Sequence, residues 1–185
     1  MFRNVFLVVL FLALASFLQK DNAPKLERKT ISNNISALLP EDFHQMSEQE
    51  IARKYFSYRK PVAMFTNQDQ TVDFGFNISA TTWDYQDLAL LQKFYKSTIQ
   101  NMYSNISMIQ EGIKEINKQN YIVFEFISEV KSDKNSPMQQ NRKAYSYLLY
   151  TIVDEEVYIF NFSAPSSLKN YWSPVADQIM KSVKL

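Results

Sequence analysis

Two kinds of hydrophobic spacing divide the chain into strands and helices. Residues 71–79 are apolar at every second position, which predicts a strand with one buried face. Residues 84–103 instead place apolar side chains three or four positions apart, which predicts an amphipathic helix with Asp84 as its N-cap. A similar stripe runs over residues 165–183, where we expect Pro174 to separate a first turn from the main helix.

Other stretches are apolar at nearly every position, which is typical of strands covered on both faces. Residues 121–127, 144–153 and 157–163 have this composition. The last two flank the polar turn 154–156 and therefore predict a hairpin. Residues 61–66 predict another hairpin with the alternating strand that follows them.

Shorter signals complete the order of elements. Residues 35–40 are a short apolar run that ends at a proline, and Ser47 followed by Glu50 is a capping-box pattern that opens a short helix. Residues 106–116 alternate in part, with Gly112 as the predicted bulge or turn. Hairpins require antiparallel pairing, and doubly apolar strands require cover on both faces. The sequence therefore predicts an α+β fold, a three-layer α/β/α sandwich with a mostly antiparallel sheet.

The first 34 residues are predicted to lie outside this domain. Residues 1–18 carry one arginine before a short apolar run with small residues near its end, the pattern of a secretory signal peptide or of an uncleaved anchor. Residues 19–34 are polar and predict a tether, which leaves residues 35–185 as a single domain. We expect an exported protein, periplasmic or extracellular, or one anchored to the inner membrane by residues 5–18.

The amino-acid composition excludes several classes of functional site. Twenty basic residues against 19 acidic ones give no concentrated positive charge for nucleic acid. The chain has no Cys, one His and two Gly, so disulfides, Cys-ligated metals, multi-histidine sites and Gly-rich phosphate loops are excluded. Attachment of a lipid to cysteine is excluded as well. We expect a protein that is not an enzyme, with no cofactor and no metal.

Candidate chemical clusters have simpler interpretations. His44 lies near Asp42 and Ser47, but catalytic triads are assembled from distant segments, so a surface histidine before a helix cap is favoured. The acidic run 154–156 could hold a divalent cation, although a solvated hairpin turn is the favoured interpretation.

The order of elements and several short sequence segments resemble the PsbP-like superfamily, and within it the DcrB-type envelope proteins of bacteria. These segments are Leu39-Pro-Glu-Asp-Phe43, Tyr58-Arg-Lys-Pro61, Val72-Asp-Phe-Gly-Phe76, the predicted strand at 121–127, Tyr158-Ile-Phe-Asn-Phe-Ser163 and Ile179-Met-Lys-Ser-Val183. The resemblance covers about residues 36–185. It implies an α/β/α sandwich and mostly non-enzymatic roles in binding other proteins, with no shared catalytic residues. The chain departs from DcrB, a lipoprotein, because it lacks the cysteine that would accept a lipid.

These observations predict an exported, non-enzymatic binding protein of the bacterial cell envelope that acts through protein–protein contacts, in an accessory or chaperone-like role. The alternative is a carrier of a small apolar ligand in an aromatic-lined pocket. Either a monomer or a homodimer fits the sequence, and a membrane would be met only through an uncleaved N-terminal segment. The candidate partner-binding residues are Tyr145, Tyr147, Tyr150 and Tyr158, whose amphipathic rings suit a contact face. Their alternative role is packing beneath the helices.

Overall fold

A computed structural model of the chain describes residues 23–55, 60–130 and 142–185. The predicted signal segment at 1–18 lies outside these residues. Within the described ranges, none of the helices combines the length and apolar character needed to cross a membrane.

The described ranges contain nine strands and three α-helices. The strands are β1 (Leu26–Ser32), β2 (Ile35–Pro40), β3 (His44–Gln45), β4 (Ala63–Thr66), β5 (Asp73–Ala80), β6 (Asn105–Ile116), β7 (Gln119–Val130), β8 (Arg142–Val153) and β9 (Glu156–Pro165). The helices are α1 (Glu48–Lys54), α2 (Leu88–Met102) and α3 (Lys169–Lys181), and short 3₁₀ turns at Tyr85–Asp87 and Ser166–Leu168 precede the last two.

Strands β3 to β9 form one antiparallel sheet in the order β3-β4-β5-β9-β8-β7-β6, and β1 and β2 form a separate hairpin. Helix α3 and the β1–β2 hairpin cover one face of the sheet, which we call the α3 face. Helix α2 packs on the opposite face, the α2 face. The predicted α+β sandwich with a mostly antiparallel sheet is therefore confirmed.

Each face of the sheet has its own hydrophobic core, because successive side chains of a strand point to opposite sides. Phe74, Phe160 and Phe162 belong to the core of the α3 face, together with Val175 and Ile179 of α3. On the α2 face, three leucine and isoleucine side chains of α2 meet the strands. The contacting residues are Leu88, Leu91 and Ile99 from the helix and Ile122, Phe124, Phe126, Tyr150, Ile152 and Val157 from the sheet.

The predicted tether at 19–34 is wrong in its second half. Leu26–Ser32 is strand β1, paired residue by residue with β2, and Ile31 lies in the core of the α3 face. The Arg28 guanidinium donates hydrogen bonds to the Ser36 hydroxyl and the Ser182 carbonyl, both at 3.1 Å. The folded domain therefore begins before residue 35. Ser36 also pairs with Lys184, which ties the hairpin to the C-terminal residues.

Two local predictions are corrected as well. Helix α3 continues through Pro174, and the separate first turn is the 3₁₀ segment Ser166–Leu168. The bulge in β6 lies between Met108 and Gln110 rather than at Gly112, since the register with β7 shifts there. The capping box at Ser47 and Glu50 and both predicted hairpins are confirmed.

Candidate functional site

The four candidate tyrosines belong largely to the core. Tyr145 and Tyr147 are 0% and 1% exposed on the α3 face, and Tyr150 is 6% exposed on the α2 face. Tyr158 is half-buried, with its ring centroid 5.3 Å from that of Phe76. Packing beneath the helices therefore describes three of the four, and their predicted role in contacting a partner is corrected because a partner cannot reach them without opening the fold.

Aromatic rings pack directly against one another in both cores that the structure describes. The ring centroids of Tyr95 and Tyr150 are 4.1 Å apart in a stacked pair on the α2 face. On the α3 face, Phe76 and Phe160 stack at 4.8 Å. Such spacings are those of rings in direct contact. The depressions with aromatic lining that the described residues form lie at the surface of the sandwich.

The candidate polar clusters are simple surface features. The exposed His44 imidazole lies 3.3 Å from a Glu50 oxygen, beside the helix cap as predicted. Asp154 and Glu155 form the tight β8–β9 turn, both with positive φ, and β9 begins at Glu156. Across the described ranges, no group of three or more His, Asp or Glu side chains is placed to hold a metal ion.

A surface depression surrounds Trp83, on the α2 face where β5 ends. One part, of about 450 Å³, lies among Trp83, Phe94, Tyr95 and Val157. A second part, of about 600 Å³, also borders Trp83 and is lined by the acidic residues Asp84, Asp154 and Glu155. Since Trp83 borders both parts, we treat these seven residues as one feature, the Trp83 groove.

Backbone hydrogen bonds hold the segment that carries Trp83. The Thr81 N–H donates to the Glu155 carbonyl at 3.1 Å, which joins the segment to the β8–β9 turn. The Trp83 N–H donates to the Thr81 hydroxyl at 3.1 Å, and the Asp84 N–H donates to the Asp87 carboxylate at 3.2 Å. The half-buried Trp83 packs against the core of the α2 face. The groove therefore has a fixed wall.

Helix α2 supplies the exposed apolar surface of the groove. Phe94 is 52% exposed, and Leu90, one turn earlier on the same side of the helix, is 50% exposed. The neighbouring Tyr95 is anchored by stacking on Tyr150, and burial raises the pKa of its phenol. Large apolar side chains grouped in this way on a rigid helix are typical of contact surfaces.

The charge beside this apolar surface is negative. Asp84, Asp154 and Glu155 border the second depression, and none of them forms an ion pair with another described residue. The groove therefore combines one exposed aromatic ring, that of Phe94, with carboxylates that a positively charged partner could approach.

The sequence of α2 contains an indication of this surface, in apolar residues that lie outside the buried stripe of the helix. The buried positions of α2 include Leu88, Leu91 and Ile99, and Leu90 and Phe94 lie four residues apart beside them. A helix with apolar residues outside its core-facing stripe has more apolar surface than one sheet contact covers. The excess in α2 could therefore have indicated a contact face.

No protein-family model and no curated protein sequence matches the chain. Solved structures do resemble it. The solution structure of the cyanobacterial PsbP protein CyanoP from Synechocystis sp. PCC 6803 is similar with a TM-score of 0.56 and 13% identity, over 86% of this chain and 92% of that chain. The Ran-binding protein Mog1p of Saccharomyces cerevisiae is similar with a TM-score of 0.52 and 10% identity, over 86% and 96%.

A third similar structure is LpqN of Mycobacterium tuberculosis, a protein involved in cell envelope biogenesis. Its TM-score is 0.55 at 12% identity, over 92% of this chain and 95% of that chain. Structural similarity at sequence identities this low supports a shared fold and not a shared function. The described sandwich and these likenesses together show that the chain has a PsbP-like fold.

Proposed function

We propose that this chain is an exported, non-enzymatic binding protein of a bacterial cell envelope, and that it contacts a protein partner through the Trp83 groove. The observation that carries the proposal is the half-exposed Phe94 ring, which stands beside Trp83 on a frame fixed by hydrogen bonds and core packing. Exposed aromatic residues on a rigid frame are the usual anchors of protein interfaces.

Similar structures support a binding role in an envelope. Mog1p is a Ran-binding protein, and LpqN is involved in cell envelope biogenesis. The proposed export rests on the signal-like pattern of residues 1–18. The non-enzymatic role rests on composition, since a chain without cysteine and with one surface histidine has few groups suited to nucleophilic or acid–base catalysis.

A carrier of a small apolar ligand is the second candidate. The depression beside Phe94 has a volume of about 450 Å³, within the range of small-molecule sites, and Trp83, Tyr95 and Val157 give it an apolar lining. A ligand held there would add mass to the purified protein, and native mass spectrometry would detect it.

Site-specific crosslinking tests the protein-binding proposal. A photoreactive phenylalanine analogue replaces Phe94 in the full-length chain, expressed in its own host, and the same analogue replaces Leu168 as the control. Leu168 is 42% exposed and precedes α3, which covers the other face of the sheet. We expect one stoichiometric protein adduct from position 94 and none from position 168.

The outcome is checked with a charged variant. Phe94→Asp should abolish co-purification of the same protein while leaving the thermal unfolding midpoint close to that of the wild type, because the ring is already half in water. Equal adducts from both positions, or no adduct from position 94, would overturn the proposal. A bound small molecule in that preparation would favour the carrier.

A further inference from the structure

The second part of the Trp83 groove brings an indole and three carboxylates to one depression of about 600 Å³. Trp83 lines this depression from the segment that follows β5, and Asp84 lies next to it in the chain. Asp154 and Glu155 line it from the β8–β9 turn, and Ile152 adds an apolar side chain. Two distant segments of the chain therefore meet at one concave surface.

The charge of this depression is not balanced from within the described fold. Its three acidic residues are exposed, and none of them forms an ion pair with a described lysine, arginine or histidine. Acidic residues elsewhere on the surface are paired, as Glu111 is with Lys96. Like charges around one depression repel one another, and a cation that enters it offsets this repulsion. Charge complementarity therefore favours a cationic occupant.

The indole of Trp83 narrows the choice of cation to arginine. The described carboxylates are not placed to hold a metal ion, and the depression is large enough for an organic side chain. Cations are attracted to the face of an indole ring. A guanidinium group is planar and weakly hydrated, stacks on aromatic faces, and donates two parallel hydrogen bonds to a carboxylate, whereas an ammonium group is a strongly hydrated point charge. Arginine therefore suits this lining better than lysine.

We propose that the protein partner of the Trp83 groove is anchored by an arginine, whose guanidinium lies against the Trp83 indole and pairs with the carboxylates of the β8–β9 turn, Asp154 and Glu155. The acidic part and the part that contains Phe94 share Thr81, Thr82 and Trp83, so an apolar residue of the same partner reaches the Phe94 ring. This inference rests on the proposed function, because it names the chemistry of the protein that the groove receives. Arginine and aromatic residues are the usual anchors of such contacts.

The probe is N-acetyl-arginine amide, and its control is N-acetyl-citrulline amide, which has nearly the same shape without the charge. Each is titrated into the full-length protein while NMR follows the indole N–H signals of its two tryptophans. Trp83 lines the groove, whereas Trp172 is 7% exposed in the core of the α3 face and serves as an internal control. We expect the arginine amide to shift the Trp83 signal alone and the citrulline amide to bind at least fivefold more weakly. Equal binding of both, or no shift at Trp83, would overturn the inference.

Neutral variants test the role of the carboxylates. Asp154→Asn and Glu155→Gln are combined in one protein, and asparagine tolerates the positive φ of position 154. The control is Glu115→Gln, which removes an exposed, unpaired carboxylate from β6 at the far edge of the sheet. We expect the double variant to bind the arginine amide at least fivefold more weakly and the control to bind it as the wild type does. Added salt should weaken binding to the wild type, since exposed charges are screened. An unchanged double variant, or equal losses in both proteins, would overturn the assigned position.

Crosslinking separates this inference from the proposed function. We expect the partner that position 94 captures to be captured less by the double variant. If both proteins capture it equally, the groove binds protein without an arginine anchor, and only this inference fails. If position 94 captures no partner, the proposed function itself fails, and the Trp83 signal alone then decides whether the groove binds arginine.

Discussion

The Tyr145 hydroxyl donates a hydrogen bond of 2.8 Å to the Glu125 carboxylate, across strands β8 and β7. The Ser173 hydroxyl donates to the same oxygen from α3 at 3.0 Å. Tyr147 follows on the same strand and face, yet its buried hydroxyl has no hydrogen-bond partner among the described residues. Two tyrosines with almost equal burial therefore differ in the role of the hydroxyl group.

The first prediction compares these two hydroxyl groups. Tyr145→Phe should lower the free energy of unfolding by about 1–2 kcal/mol, because Glu125 loses a donor in a buried position. Tyr147→Phe should change it by less than about 0.5 kcal/mol or raise it, since no hydrogen bond is lost. Urea denaturation of both variants measures the difference, and equal losses would contradict this account.

A close approach between strands leads to the second prediction. A Cβ atom on Gly75 would overlap the Asn161 Oδ1 atom and lie 2.6 Å from the Met64 sulfur. Gly75→Ala should therefore destabilise the fold by about 1–3 kcal/mol through overpacking. Asn161→Ala removes the obstacle together with an oxygen that has no hydrogen-bond partner among the described residues. The double variant should thus lose less stability than the sum of the two single ones, which thermal denaturation can establish.

The third prediction concerns the buried carboxylate of Asp73. Its side chain is 5% exposed, and it pairs with Lys54 at 2.6 Å and accepts a hydrogen bond from Tyr55 at 2.5 Å. Lys54→Met should cost about 3 kcal/mol, because it leaves a buried charge without its cation.

The control for this variant is Lys181→Met in the exposed Lys181–Asp177 pair, which has the same 2.6 Å distance. Exposed pairs contribute little, so this change should cost less than about 1 kcal/mol. Chemical denaturation of the two variants side by side is the measurement. Similar losses would mean that burial does not strengthen the Asp73 interaction.

The fourth prediction is a pH dependence at helix α1. The backbone N–H and hydroxyl of Ser47, with a smaller contribution from His44, lower the pKa of Glu50 from 4.5 to about 2. Because the folded state holds this carboxylate ionised, its stabilising effect is present above pH 4.5 and is lost as the pH falls toward 2. NMR titration of the Glu50 carboxyl carbon should show the low midpoint, and Glu50→Gln should remove the matching acid response of the α1 amides. A titration midpoint near 4.5 for Glu50 would contradict its predicted role in the helix cap.

The main strands of the sheet could be predicted from the sequence because the spacing of apolar residues along the chain indicates them. Strand β5 alternates, and β7, β8 and β9 are apolar on both faces since helices cover both sides. Strand β1 was missed because three consecutive charged residues, Glu27, Arg28 and Lys29, give it the appearance of a tether. Lys29 nevertheless donates to the carbonyls of Glu41 and Phe43 at 3.1 and 2.6 Å. Such bonds to distant backbone groups have no local signature.

The candidate site was less predictable for a related reason. A tyrosine suits a core and a contact face almost equally well, so composition alone could not place Tyr145 or Tyr150. Phe94 gave a clearer signal, because it stands outside the buried stripe of α2. Its neighbour Trp83 and the acidic turn meet only through the pairing of β5 with β9, which spacing along the chain does not reveal.

The bond between the β1–β2 hairpin and the C-terminal residues sets an order of assembly. Arg28 and Ser182 are 154 positions apart, and Leu38 also donates to the Ser182 hydroxyl at 2.7 Å. During synthesis, the first hairpin emerges long before the residues against which it docks. The α3 face therefore cannot close until residues 169–184 have been made. Contacts of such long range slow folding, because distant segments must meet before their contacts stabilise the chain.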